Sequence, residues 1–280
     1  MKKVLFIILT AIAVTVLYSG PVFARIEWRI LNGIQLDDTP VDTAVSYDGT
    51  TVYVLCSESI NVYSMPLMEL VESIPLQSHF SQISIGPDDK TLFLTDEAGK
   101  RVSVVEVTPV FDINIGHSQV IGKADAKVRI VLFSDYECPY CSRIYPVLEQ
   151  LLKKYPDQVN LVSKHYPLRS HKFAKPAAVA AIAAARQGKY PEMSKALYKE
   201  YNQLSDEKIK EVAKNVGLDM ERFENDIKDP LIFSQIDSDV QLAKTMKIIG
   251  IPTIYINGRA VKTNSVQDMS QMIEKELNKN

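Results

Sequence analysis

Residues 133–146 read Phe-Ser-Asp-Tyr-Glu-Cys-Pro-Tyr-Cys-Ser-Arg-Ile-Tyr-Pro, with Cys138 and Cys141 separated by Pro139 and Tyr140. The apolar run Val128–Phe133 leads in like a buried strand, and a helix-compatible stretch, Pro139–Lys154, leads out. A Cys-x-x-Cys at a strand-to-helix junction puts its first sulfur at a helix N-terminus. There the unpaired N–H groups and the helix dipole favour a thiolate, the form that attacks disulfides. Two blander readings compete. Half of a zinc site is one, but tetrahedral zinc needs a full ligand set. The other candidates are Cys56, His79, His117, His165 and His171, which show no paired spacing, so neither a metal nor another cofactor is predicted. A purely structural disulfide is the second, and a two-residue loop is a poor staple because closing a short loop constrains the unfolded chain least.

The surroundings of the motif set the compartment. The chain has 280 residues, enough for one or two domains, with 46% hydrophobic and 24% charged residues and a formal net charge of −2. No basic excess points to nucleic acid. Lys2 and Lys3 precede an apolar core, Val4–Tyr18, which is short for a membrane span, and Val22-Phe23-Ala24 fits a small-x-small cleavage site. Residues 1–24 therefore read as a signal peptide that exports the chain to a periplasm or beyond, with an uncleaved anchor as the alternative. In an oxidising compartment a cysteine pair can exist as a disulfide.

Residues 25–108 read as all-β, with short Val-, Ile-, Tyr- and Leu-rich runs between Asp-Gly and Pro-Asp-Asp turns. The stretch repeats. Ile34-x-Leu36 recurs as Ile74-x-Leu76, and Asp48–Val54 as Asp88–Leu94, both offset by 40 residues. Ile60-Asn-Val62 recurs as Val102-Ser-Val104, offset by 42. A period near 40 with several strands per unit is a propeller-blade signature, and the pattern resembles the YVTN type of β-propeller repeat. Two blades cannot close a ring, which takes about four to eight. The units must pack on each other or on another surface, so a homo-oligomer or a partner through these repeats is predicted. Cys56 shares a face with Val52 and Val54 by alternation, which makes it a buried small hydrophobe, with a reactive or intermolecular thiol as the alternative.

From 109 to 280 the pattern becomes α/β. The cysteine-bearing helix is followed by a second strand near Gln158–His165. From about 171 to 246 there is no strand signal; Gly188, Gly217 and Pro230 divide Ala-rich and amphipathic stretches into four or five helices. Gly250–Ile256, an Asn257-Gly258 turn and Arg259–Lys262 read as a hairpin, and Ser265–Leu277 as a last helix. The order is β-α-β, an inserted helical block, then β-β-α.

Cys138-Pro-Tyr-Cys141 after a strand, Pro146 five residues on, the helical insertion, and the distant Ile251-Pro252 together resemble the DsbA-like class of thioredoxin-fold proteins. Phe133-Ser-Asp135 and Lys164-His-Tyr-Pro167 fit the same class. The resemblance implies a thiol–disulfide oxidoreductase acting on the cysteines of exported proteins and served by a redox partner of its own. It makes Cys138 the exposed attacking sulfur and Cys141 the more buried resolving one, joined as a redox disulfide in the oxidised form. It also makes Pro252 a cis-proline whose neighbour Ile251 pairs with a substrate strand, with Pro139 and Tyr140 completing the substrate-facing surface.

Two positions depart from the class. A buried acid is usual six residues before the attacking cysteine, and Leu132 stands there, which leaves Lys164, Glu137 or water to handle the proton of Cys141. The dipeptide Pro139-Tyr140 lacks the histidine of the strongest oxidants, so a moderately oxidising pair is expected. Asp135 and Glu137 read either as charges that oppose a thiolate or as solvated loop residues, and His165 as a packing residue rather than an acid–base catalyst. Disulfide formation is the leading activity. An isomerase or reductase dimerising through the β repeats, and a non-catalytic binding module, are the alternatives.

Overall fold

The computed structural model describes residues 27–31, 33–263 and 265–279, so the signal-peptide reading of residues 1–24 lies outside the described residues. Among the described residues no helix is long and apolar enough to cross a membrane. The chain divides into two compact units, Met1–Glu106 and Val107–Asn280.

The first unit holds seven strands and no helix among its described residues. β1 (Pro40–Val45), β2 (Thr51–Cys56), β3 (Ser59–Ser64) and β4 (Glu69–Pro75) form one antiparallel sheet in that order. β5 (Gln82–Ile85), β6 (Thr91–Asp96) and β7 (Arg101–Glu106) form a second. The sheets share a turn design. Ser46 N–H donates to Thr51 O as Gly86 N–H does to Thr91 O, and a left-handed residue, Gly49 or Asp89, sits at the corner. The aspartate opening each turn, Asp48 or Asp88, accepts the backbone N–H two residues on, the capping an Asp side chain gives a turn. Ile83 N–H donates to Asp42 Oδ2, and Tyr47 N–H to Asp89 Oδ1, which ties the two sheets together. Cys56 is fully buried in a cluster with Val52, Val54 and Tyr63, as alternation predicts.

The second unit is built on a five-stranded sheet ordered β12-β11-β9-β10-β8. β9 (Val128–Ser134) is central, parallel to β10 (Val159–His165) and antiparallel to β11 (Thr253–Ile256). β12 (Arg259–Ala260) and β8 (Val120–Ile121) are the edges. Helices cover both faces, which is why β9 is apolar on both sides. Val128, Ile130 and Leu132 enter one core, and Val131 and Phe133 the other.

The first core lies under α1 (Pro139–Lys154) and α7 (Val266–Leu277) and continues into the inserted helices. These are α2 (Ala174–Ala185), α3 (Tyr190–Lys199), α4 (Asp206–Asn215), α5 (Met220–Asp226) and α6 (Pro230–Thr245). α1 buries Cys141, Ile144, Tyr145, Leu148 and Leu151 on one face, each apolar side chain stabilising by roughly 1.5–3 kcal/mol before entropic costs. The second core is smaller, with Ala243 of α6, Ile113 and Tyr255 against the opposite face of the sheet. In the β11–β12 turn both Asn257 and Gly258 have positive φ, the geometry an Asn-Gly hairpin predicts. A Cβ on Gly258 would lie 2.1 Å from the carbonyl oxygen of Phe111, so only glycine fits.

Candidate active site

The chain leaves β9 at Ser134, turns through Asp135 and Glu137, and enters α1 at Pro139. Cys138 is the N-cap residue, with extended dihedrals, and Pro139 takes the first helical position, where its missing N–H costs nothing. Cys138 N–H donates to Asp135 O at 3.2 Å, so the loop folds back on itself just before the helix.

That fold-back corrects one expectation. The sequence reading leaves Cys138 exposed, but it is only 4% exposed, packed in the same core cluster as Cys141, Tyr136 and Ile144. Cys141 is fully buried, one turn into the helix. Burial pushes the Cys141 thiol far above its ordinary range. A hydrogen bond from the Asp135 backbone opposes this, and the charges of Cys138 and Asp135 add to it. Cys141 is thus a proton-holding sulfur directly behind Cys138. Tyr140 is 61% exposed, with the Arg143 guanidinium stacked 4.6 Å above its ring. Ile251-Pro252 is a cis peptide just before β11, and Ile251 packs against the core that holds both cysteines.

The acids are placed differently from the sequence reading. Asp135 is not a solvated loop charge: it is 2% exposed and serves three donors. Glu137 N–H reaches its Oδ1 at 2.7 Å, and Leu168 N–H and His171 Nδ1 reach its Oδ2 at 2.8 Å each. Glu137 is not free either, since its Oε2 accepts Phe173 N–H and caps the start of α2. Lys164 cannot serve Cys141. It lies on the other face of β10 and forms a buried ion pair with Asp239 at 3.0 Å. Strand alternation explains this: Leu161 enters the core under α1, whereas Val162, and with it Lys164, points the opposite way. The carboxylate whose charge adds to the rise at Cys141 is Asp135, three residues before Cys138 rather than six.

A buried aromatic cluster supports the two sulfurs. The Tyr198 ring packs at a tilt, its centroid 4.5 Å from that of Tyr136 and 4.6 Å from that of Tyr145. Ser134 Oγ and Tyr198 OH share a hydrogen bond at 2.6 Å, and Ser142 Oγ donates to Tyr198 O. Tyr198 belongs to α3, so the inserted helices are part of the site's foundation. Burial, and then the nearby Cys141, push its phenol well above the ordinary value. The sequence reading missed Tyr136, Tyr145, Tyr190 and Tyr198; the last three are large amphipathic side chains on helix faces otherwise apolar, and Tyr136, in the loop before α1, carries no periodic signal.

His165 is 2% exposed and packs on Tyr136 and Tyr190, in keeping with a packing role. Burial depresses its pKa; Asp239 opposes the shift and Lys164 adds to it. Below a pH of about 6.5 the unfolded chain takes up a proton that the folded unit refuses. Stability is thus complete above that pH and is lost as pH falls toward the depressed folded value. His165→Asn should flatten the dependence of the urea midpoint on pH between about 6.5 and 5, above the range where carboxylates titrate. Equal slopes in both proteins would refute this assignment.

Comparison with known proteins bears on the second unit. A family model described as thioredoxin matches residues 100–275. A thioredoxin-like oxidoreductase from Silicibacter pomeroyi DSS-3 is 28% identical, with a TM-score of 0.51 over 58% of this chain and 93% of that one. BdbD from Bacillus subtilis, oxidised, is 23% identical with a TM-score of 0.54, covering 61% of this chain and 99% of that one. The thiol-disulfide exchange protein alpha-DsbA2 from Wolbachia pipientis is 23% identical with the same TM-score, over 59% and 89%. At that identity the last two speak for the fold alone. A curated relative, the Na(+)/H(+) antiporter NhaA 3 of Salinispora tropica, is 36% identical over 162 residues, which is 58% of this chain and 24% of that protein. The chain thus spans about a quarter of the length of the curated relatives it matches.

Proposed function

Because the chain belongs to the thioredoxin family, we propose that it is a thiol–disulfide oxidoreductase exchanging a Cys138–Cys141 disulfide or dithiol with the cysteines of other proteins, and that its main work is disulfide formation. The observation that carries the reading is the pairing of Cys138 at the N-terminus of α1 with a buried, proton-holding Cys141 one turn behind it. In the forming direction a substrate thiolate attacks Cys138 Sγ, the Cys138–Cys141 bond breaks, and Cys141 leaves and takes up a proton. The second substrate thiolate then attacks its bonded neighbour and releases Cys138. Two electrons pass from substrate to protein.

Ile251 and Pro252, beside the core that holds the sulfurs, and Pro139 with exposed Tyr140 form the surface that meets the substrate. The proposed setting is the periplasm or another exported compartment, where such disulfides persist. It rests on the signal-like residues 1–24, as the propeller-like character of the β repeats rests on their sequence period and shared turns. Transfer from the oxidised full chain to a reduced, unfolded protein tests the activity: each substrate disulfide made should expose two thiols on Cys138 and Cys141. Absence of transfer in both the forming and the reducing direction would defeat the proposal. A resting pair found mostly reduced in cells would turn the assignment to isomerase or reductase.

A further inference from the structure

The three-stranded sheet ends on an open strand. In the four-stranded sheet, β4 covers β3, with Ile74 opposite Ile60. The second sheet stops at β7. The residues the repeat would use next are Ile113-Asn-Ile115, 39 residues after Ile74-x-Leu76. They are engaged elsewhere. Ile113 is buried in the second core of the thioredoxin unit, Ile115 packs on it, and nearby Phe111 donates its N–H to Gly258 O. The sheet of the second repeat therefore has three strands where the first has four.

The open edge is built to be paired. Gly86 N–H donates to Thr91 O, so Thr91, Phe93 and Thr95 turn their backbone groups toward β5. Leu92, Leu94 and Asp96 then turn theirs toward β7, opposite Val105, Ser103 and Arg101. What remains on the free side are the N–H and C=O groups of Val102, Val104 and Glu106. The same three residues share one face of the sheet, where Val102 is 62% and Val104 65% exposed, beside Phe93 at 37%. Unpaired backbone beside exposed valines is the arrangement that proteins elsewhere blunt with charge or proline.

We infer that β7 pairs antiparallel with β7 of a second copy of this chain, joining the two three-stranded sheets into one. The sequence around the strand, Lys100-Arg-Val-Ser-Val-Val-Glu106, is self-complementary in one register. With Ser103 opposite its own copy, Val102 faces Val104 at both outward-bonding pairs, and each Glu106 ends beside the partner's β6–β7 turn, where Lys100 (φ 50) precedes the first strand position. Facing residues must share a side of the joined sheet, and this register meets that condition. The register centred on Val104 also meets it, but it sets Val102 against Glu106 and loses the charge match. A second copy is therefore favoured over an unrelated extended peptide, which would have to supply both the apolar pair and the two charges.

Sedimentation velocity of the full chain tests this. Wild type should sediment as a dimer at micromolar concentration, and Val104→Lys as a monomer with unchanged circular dichroism and thiol exchange. A cross-linking pair fixes the register. At the self-facing position Ser103→Cys brings two Cα atoms to about 4.5 Å, within disulfide reach, so mild oxidation should give a covalent dimer. Val105→Cys, which faces Arg101, should not. A monomeric wild type, undiminished association of Val104→Lys, or equal cross-linking at both positions would overturn the inference. So would a monomer that captures extended peptides along β7, since that makes the edge a client site.

Discussion

Cys138→Ser should lower disulfide transfer by about a hundredfold or more, because no other sulfur in the chain can take the first attack. Cys141 is fully buried and its proton is held tightly by burial. Cys56 is also fully buried, with its thiol pushed up by burial and by the charge of Asp38. Only Cys138 joins a helix N-terminus to a path, however narrow, to the surface. Cys141→Ser should give the complementary result. Its Cys138 still attacks a substrate disulfide, but no second sulfur can resolve the product, so the mixed disulfide accumulates and is read by intact mass. Both variants should keep the wild-type fold, since sulfur and oxygen differ little in volume at a site with no structural disulfide to lose. Residual exchange in Cys138→Ser, or a Cys141→Ser protein that traps nothing, would show that the two sulfurs do not divide the work in this way.

The strand-turn-helix around the motif was legible because several local signals agree. A doubly apolar strand, a proline fitted to the first helical turn and an Asn-Gly hairpin each depend on near neighbours in the chain. The five inserted helices were legible for the same reason, from glycine and proline breaks. The polar architecture was not, because it is made by residues far apart. Asp135 and His171 are separated by 36 residues, and Lys164 and Asp239 by 75. A carboxylate seen only in sequence, next to Glu137 in a loop, looks solvated. Its burial follows from the return of residues 166–173 over the active-site loop, anchored by Leu168 N–H. The depth of Cys138 was hidden similarly, since the turn that draws it inward is a backbone hydrogen bond to Asp135 that carries no side-chain signature.

Asp239→Ala should destabilise the thioredoxin unit by about 3–5 kcal/mol, the range for breaking a buried ion pair from one side. Asp239 is 2% exposed and holds two elements of the fold at once. Its Oδ1 accepts from Lys164 Nζ and its Oδ2 from His165 N–H, each at 3.0 Å, so α6 is locked to the end of β10. Alanine strands the Lys164 ammonium with only the Ile115 carbonyl and leaves the His165 N–H without its acceptor. Lys164→Met should cost less, since Asp239 keeps its bond to His165 N–H. The double variant Lys164→Met with Asp239→Leu should be more stable than Asp239→Ala alone, because it removes both charges and fills the space they leave. Urea unfolding followed by the helical far-ultraviolet signal reads this unit selectively, since every described helix lies within it. If the double variant is no better than Asp239→Ala, the cost lies in the lost anchor of His165 rather than in the stranded charge. Because β10 runs directly into the segment that clamps Asp135, a loosened strand end should also slow thiol exchange, although neither Lys164 nor Asp239 is in contact with the sulfurs.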